Sequence, residues 1–229
     1  MAQVKVLFVD YDGTLHDSDA KFAEKFDGLF GMGGEALWNI FLNEIHRGIV
    51  HRYFPDRHDD MEFHCRLLLK RLNRPYDGDA CRELARLYFE ALEECWTKPK
   101  FFDDAASFLK AAFEMGYRIC LTTGSYASEK AKCLESTGLW KYFAMAIGEE
   151  SVGCRKSSPG YFEGALRLSG ASSVGDSYLH DVGPAKLIGM RAIWVNRKGE
   201  EALGDVRPDC EVRKLTEAIE PLANWKLRI

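Results

Sequence analysis

Two aspartates separated by one residue, Asp10 and Asp12, are followed at once by Gly13 and Thr14. Carboxylates of this kind serve in nucleophilic, acid–base and metal-assisted chemistry. The same four residues could form an ordinary Asx turn, in which the acids merely satisfy backbone N–H groups. Position favours chemistry. Val4, Val6, Leu7, Phe8 and Val9 make a nearly continuous apolar run that stops at Asp10, as in a central parallel strand buried on both faces. Open parallel sheets bind ligands beyond the carboxyl ends of their strands. At ordinary residue usages Asp-x-Asp-Gly-Thr arises by chance in on the order of one chain in a thousand of this length.

Three later stretches repeat the arrangement of an apolar run followed by polar residues. Tyr117–Leu121 leads into Thr122-Thr123-Gly124-Ser125, where a hydroxyl and free backbone N–H groups at the start of a helix can receive a phosphate. Phe143–Ile147 is followed by Lys156-Ser157-Ser158-Pro159 at the opening of a helical pattern. Val174-Gly175-Asp176 precedes Asp181, a helix and a final apolar strand.

In this order the four stretches resemble the four motifs of the haloacid dehalogenase-like (HAD) hydrolase superfamily, and the resemblance runs along the whole chain. It implies Asp10 as nucleophile and Asp12 as general acid/base. It also implies Thr123 with Gly124 as phosphate ligands, chosen over Thr122 because the family hydroxyl directly precedes Asn or Gly, and Lys156 as the motif lysine. Mg2+ is the implied cofactor, held by Asp10, the Asp12 carbonyl and Asp176, with Asp181 in an outer shell. A phosphate monoester is a dianion, so an attacking carboxylate needs such cations beside it. Three departures from the family pattern stand out: Ser157 replaces a proline, His180 stands where many relatives carry Asn, and Gly183-Pro184 replaces a glycine directly before alanine. Proline is acceptable in a first helical turn.

The resemblance implies Mg2+-dependent hydrolysis of a small phosphorylated metabolite through an aspartyl phosphate, similar to phosphoglycolate or nucleotide phosphatases. Haloacid dehalogenases lack the second Asp, so Asp12 argues against that chemistry. Sugar phosphomutases carry a histidine ten residues after it, and here that position is Phe22. A non-catalytic module would have lost Asp10, Asp12 or Lys156.

The elements that must position these groups follow from periodicity. The expected fold is α/β: a Rossmann-like parallel sheet with helices on both faces, formed by residues 1–15 and 97–229. Residues 16–96 interrupt it as an all-α cap domain. There, apolar residues such as Phe22, Phe26, Leu29 and Phe30 recur at helical spacing. Breaks at Gly31–Gly34, Tyr53–Asp56 and Asn73–Gly78 predict about four helices. Gly31–Gly34 reads equally as a loop reaching toward substrate or as a helix-ending turn.

At 229 residues and 46% hydrophobic the chain can bury a large core. A net charge of -4 gives no basic footprint for nucleic acid. No apolar run approaches the roughly 18 residues of a membrane span. A strand beginning near residue 4 leaves no room for a cleavable leader, so a cytoplasmic location is expected. The seven cysteines show no Cys-x-x-Cys spacing, and most read as buried thiols. His46, His51, His58 and His64 lie in the insert among many arginines, without a recognised metal-ligand spacing. They read as part of a solvated face, with one or two cations available to an anionic substrate. Oligomeric state is not legible.

Overall fold

In the computed structural model, residues 5–169, 171–202 and 204–225 are described; Val4, the first residue of the apolar run, lies outside them. Six strands form one parallel sheet in the order β3-β2-β1-β4-β5-β6. They are β1 Lys5–Asp10, β2 Tyr117–Thr122, β3 Phe143–Ile147, β4 Ala171–Gly175, β5 Ala192–Val195 and β6 Cys210–Val212. Central β1 has Val6 to Val9 buried, as a strand with both faces covered requires. Val6 and Phe8 pack with Phe162 and Ala165 of the helix Pro159–Ser169 and with Trp194. Leu7 and Val9 alternate to the opposite face, where they are equally sealed.

From β1 the sheet grows one way through β2 and β3 and the other way through β4 to β6. The strand order therefore reverses beside β1, and the crevice at its carboxyl end is where ligands bind in such sheets. Asp10 is the last residue of β1 and Thr122, its register partner, the last of β2. Asp176 directly follows β4. The unusual Gly183-Pro184 is accommodated as expected: a π-type turn, Tyr178–Val182, runs into the helix Gly183–Leu187 with Pro184 in its first turn. No helix among the described residues is long and apolar enough to cross a membrane.

The chain divides into two compact units, Met1–Asp17 with Lys100–Ile229, and Ser18–Pro99. The second is all-helical: Ser18–Phe26, Gly34–Asn39 continuing as a π-helix Ile40–Val50 and a turn His51–Tyr53, Met61–Arg71, and Gly78–Thr97. Asp60 and Asp77 cap the last two by accepting from the Phe63 N–H and from the Asp79 and Ala80 N–H groups. Its core is aromatic. Phe22 stacks on Trp38 at 4.2 Å between ring centroids, and Trp38 stacks on Phe41 at 5.5 Å. Phe22 is thus a packing residue of the helical core. Cys65, Cys81, Cys95, Cys120 and Cys133 are buried and outside any disulfide, while Cys154 and Cys210 are only half-buried.

Gly34 resolves the glycine-rich stretch at one position. A Cβ there would lie 1.8 Å from the Ala23 carbonyl oxygen, so this glycine lets two helices approach backbone to backbone. We expect Gly34→Ala to destabilise the protein by at least about 1–3 kcal/mol, the usual cost of overpacking. The urea unfolding midpoint measures it; an unchanged midpoint would show that the close approach is not a constraint.

Candidate active site

The site is built on the β1 rim. Lys156, 4% exposed at its side chain, reaches Asp10 Oδ1 at 2.5 Å, Asp181 Oδ1 at 2.6 Å and the Thr122 carbonyl at 3.1 Å. Asp10 Oδ1 and the Thr122 carbonyl accept hydrogen bonds from the ammonium, and Asp181 Oδ1 faces it as an ion pair. Burial opposes the charge on Lys156, but Asp10 and Asp181 overcome it and hold the amine well above the usual lysine range. Burial pushes the Asp181 carboxyl up, with Lys156 pulling against it and Asp10 adding to it. Asp181 Oδ2 accepts from the Ser177 N–H at 3.0 Å, while Oδ1 is held only by the charge of Lys156. A Cβ on Gly175 would fall 2.1 Å from Asp181 Cγ; the carboxylate lies against bare backbone.

The turn after β1 orients the remaining oxygens. Gly13 has φ +75°, and a Cβ there would meet Asp176 Oδ2 at 2.3 Å. A side chain is therefore excluded by both conformation and space. Thr14 Oγ1 lies 3.3 Å from Asp10 Oδ2 and 3.5 Å from Asp176 Oδ1. Arg197 donates to the Thr14 carbonyl at 2.9 Å and is itself paired with Asp104, which anchors the turn from below. Trp194 Nε1 donates to the Asp176 carbonyl at 2.7 Å. Asp10, Asp176 and Asp181 each place a carboxylate oxygen within 4.8 Å of the others.

Asp12 stands apart from this cluster, with its side chain 44% exposed. Lys130 Nζ lies 2.7 Å from Asp12 Oδ2 and 2.6 Å from Thr123 Oγ1, and His16 Nδ1 lies 3.3 Å from Asp12 Oδ1. Burial opposes ionisation of Asp12, but Lys130 and His16 together outweigh it and hold the carboxyl well below the usual carboxylate range. His16 is stacked on Tyr11, 5.1 Å between centroids.

Asp10, Asp12, Lys156, Asp176 and Asp181 are thus brought to one rim. Gly124 follows β2 and accepts from the Glu149 N–H at 2.9 Å, while Glu149 Oε1 holds the Lys156 N–H at 2.8 Å. The choice between the two threonines looks different in the structure. Thr123, selected from sequence, accepts from Lys130 at its hydroxyl oxygen, and its O–H remains able to donate. Thr122 pairs in register with Asp10 and so shares its side of the sheet, and its buried Oγ1 has no hydrogen-bond partner among the described residues.

Lys130 escaped the sequence reading. It looks like a surface lysine between Glu129 and Lys132, yet Ala127, Lys130, Cys133 and Leu134 form the buried face of the helix Ala127–Ser136. That placement on the apolar stripe was its only signal. His180, at a position of departure from the family, lies 2.9 Å from Ser177 Oγ and helps close the turn before Asp181.

A family model for haloacid dehalogenase-like hydrolases matches residues 4–189. Phosphoserine phosphatase of Thermus thermophilus is 30% identical over 144 residues, 61% of this chain and 56% of that one. The chain spans about half the length of the curated relatives it matches. The magnesium-bound structure of YfnB from Bacillus subtilis, described as a HAD-hydrolase, superposes with a TM-score of 0.72 at 21% identity, covering 96% of this chain and 99% of that one. A 2-haloacid dehalogenase from Pseudomonas syringae gives 0.58 at 26% identity, covering 98% and 100%. With four fifths of its length under the family model and the motif carboxylates gathered at one sheet rim, the chain belongs to the haloacid dehalogenase-like hydrolase family.

Proposed function

We propose that the protein hydrolyses a small organic phosphate monoester through a phosphoryl group carried on Asp10. The observation that carries this reading is the division of labour between two carboxylates two residues apart. Asp10 is gripped by Lys156, whereas Asp12 is held ionised by a second ammonium, Lys130, that also reaches Thr123. A phosphoryl dianion needs positive charge where it meets an attacking carboxylate, and two buried lysines supply it. The relation to an enzyme named for phosphoserine supports a monoester as substrate.

In the first step an Asp10 oxygen forms a bond to phosphorus and the ester P–O bond breaks. The proton for the leaving oxygen comes from Asp12. Lys130 and His16 hold the Asp12 carboxyl low in the ligand-free protein; a dianion arriving beside it raises its pKa, and Asp12 takes up a proton from solvent as the substrate binds, which it then passes to the leaving oxygen. In the second step Asp12 takes a proton from water, the water oxygen bonds to phosphorus, and the Asp10–phosphorus bond breaks to release inorganic phosphate. Lys156 stabilises charge on the Asp10 side. Thr122, with its free hydroxyl, takes a phosphoryl oxygen together with the Gly124 N–H. Thr123 holds Lys130 in place.

Mg2+ fits the donor set. Asp10, Asp176 and Asp181 bring three carboxylates together, all donors are oxygen, and Gly13 has no side chain to crowd Asp176. Asp10 and Asp176 would hold the ion with the Asp12 main-chain carbonyl, with Asp181 kept beside it by its ion pair to Lys156 and its bond from the Ser177 N–H. When bound, it would supply charge neutralisation at the phosphoryl oxygens. Removal of divalent ions with EDTA is expected to stop phosphate release and added Mg2+ to restore it; full activity in metal-free buffer would contradict this use of Asp10 and Asp176.

The dehalogenase likeness leaves a second chemistry to exclude, and Asp12 separates the two. An alkoxide leaving group needs a proton in the first step, p-nitrophenolate does not, and only the second step is shared. We expect Asp12→Ala to release a burst of p-nitrophenol approaching one equivalent per site, followed by turnover slowed by about 10²–10⁴-fold. No comparable burst is expected from an alkyl phosphate. Rapid-mixing kinetics reads it. Equal losses on both substrates without a burst would remove the acid/base role, and halide release from a 2-haloacid by the wild type would favour dehalogenation.

A further inference from the structure

The four histidines of the helical unit, read from sequence as a solvated face, converge in space. Ring centroids are 4.3 Å apart for His46 and His51, 5.0 Å for His46 and His58, and 4.7 Å for His51 and His58. Each of these three offers a nitrogen within 4.8 Å of the other two. We propose that His46, His51 and His58 form a binding site for a late first-row divalent transition ion, with Zn2+ as its representative, distinct in chemistry from the oxygen-lined site at Asp10.

The backbone is built for this convergence. His46 and His51 are five residues apart, which on an α-helix would turn them away from each other. Here the segment Ile40–Val50 is a π-helix, and the His51 N–H bonds to the His46 carbonyl. Five-residue spacing then becomes alignment along one face, which also carries Phe41, stacked on His46 at 6.4 Å. A π-helix of this length is rare and such segments concentrate at functional sites. Gly48 allows it: a Cβ there would lie 2.8 Å from the Asn43 carbonyl oxygen, five residues back.

The outer partners set the tautomers that ligation requires. His64 Nδ1 lies 2.8 Å from the Asp60 carbonyl and must be the protonated nitrogen, since a carbonyl only accepts. His64 Nε2 is then an acceptor, and His46 Nδ1, 3.0 Å away, donates to it. The lone pair of His46 is left on Nε2. Likewise His58 Nδ1 lies 2.8 Å from Asp59 Oδ1, leaving its Nε2 for a ligand. An imidazole whose second nitrogen donates to a carboxylate, or into a chain ending on a carbonyl, is the usual arrangement around a bound metal. Asp60 joins the shell to the scaffold by capping Met61–Arg71 and pairing with Arg57.

Three imidazoles suit Zn2+, Ni2+ or Cu2+ rather than Mg2+. All three rings are half-buried, which leaves a fourth position for water or an external ligand. The test uses the full chain, stripped of metal and then held in excess Mg2+ to occupy the oxygen site. Zinc titration calorimetry should show one equivalent bound, and Co2+ should give the visible absorption of a tetrahedral site. His51→Ala and His58→Ala should each weaken zinc by more than the roughly 10–100-fold that loss of an outer partner costs. Should either variant fail to fold by circular dichroism, the wild type answers through Cu2+ and electron paramagnetic resonance, where nitrogen splitting from imidazoles is expected. Absence of zinc binding to the wild type, zinc binding unchanged in both variants, or an oxygen-only copper spectrum would overturn the site.

Discussion

The structure depends on one buried ammonium. Lys156 sits between Asp10 and Asp181 and against the Thr122 carbonyl, so it ties the ends of β1 and β2 to the loop after β4. A charge so far from water is tolerable only when its partners are complete. Removing Asp10 or Asp181 would strand the lysine, and removing the lysine would leave two carboxylates repelling each other. The neighbouring glycines follow from this. Gly175 lets Asp181 lie on the backbone, and Gly13 lets the β1 turn close over Asp176.

A second ammonium extends the same logic outward. Lys130 bridges Asp12 and Thr123 from the helix after β2, and Arg197 locks the turn through Thr14 and Asp104. Between them, the two lysines give the paired aspartates different electrostatic surroundings. Asp10 is itself buried and shares its cation with Asp181, whereas the part-exposed Asp12 shares a buried cation with Thr123. Two acids of the same type can therefore take different roles.

Much of this was legible in the chain. The apolar run to Val9 marked a central strand because both faces of β1 are covered, and the four polar stretches at strand ends marked the rim. What escaped depended on three-dimensional register. Thr122 ends β2 on the Asp10 side of the sheet and Thr123 follows it toward Lys130, and adjacent hydroxyls carry no sequence signal for that difference. Lys130 is hidden among charged neighbours and shows itself only on the buried side of its helix. The histidine cluster was hidden because His46 and His51 come together only when the helix widens to the i→i−5 bonding of a π-helix. A periodicity search at 3.6 residues sends them apart. Phe22, by contrast, was noted for what it is not, and the structure gives it a positive role against Trp38.

The central claim is that Asp10 becomes the phosphoryl carrier while Lys156 and Lys130 hold the charges around it. The most direct measurement is acid quenching during turnover of a 32P-labelled phosphate monoester, followed by proteolysis and mass spectrometry. The account predicts acid-stable, base-labile label on the peptide containing Asp10, and none on the Asp10→Asn protein. Steady phosphate release with no label on the wild-type protein, or label on any other residue, would contradict it.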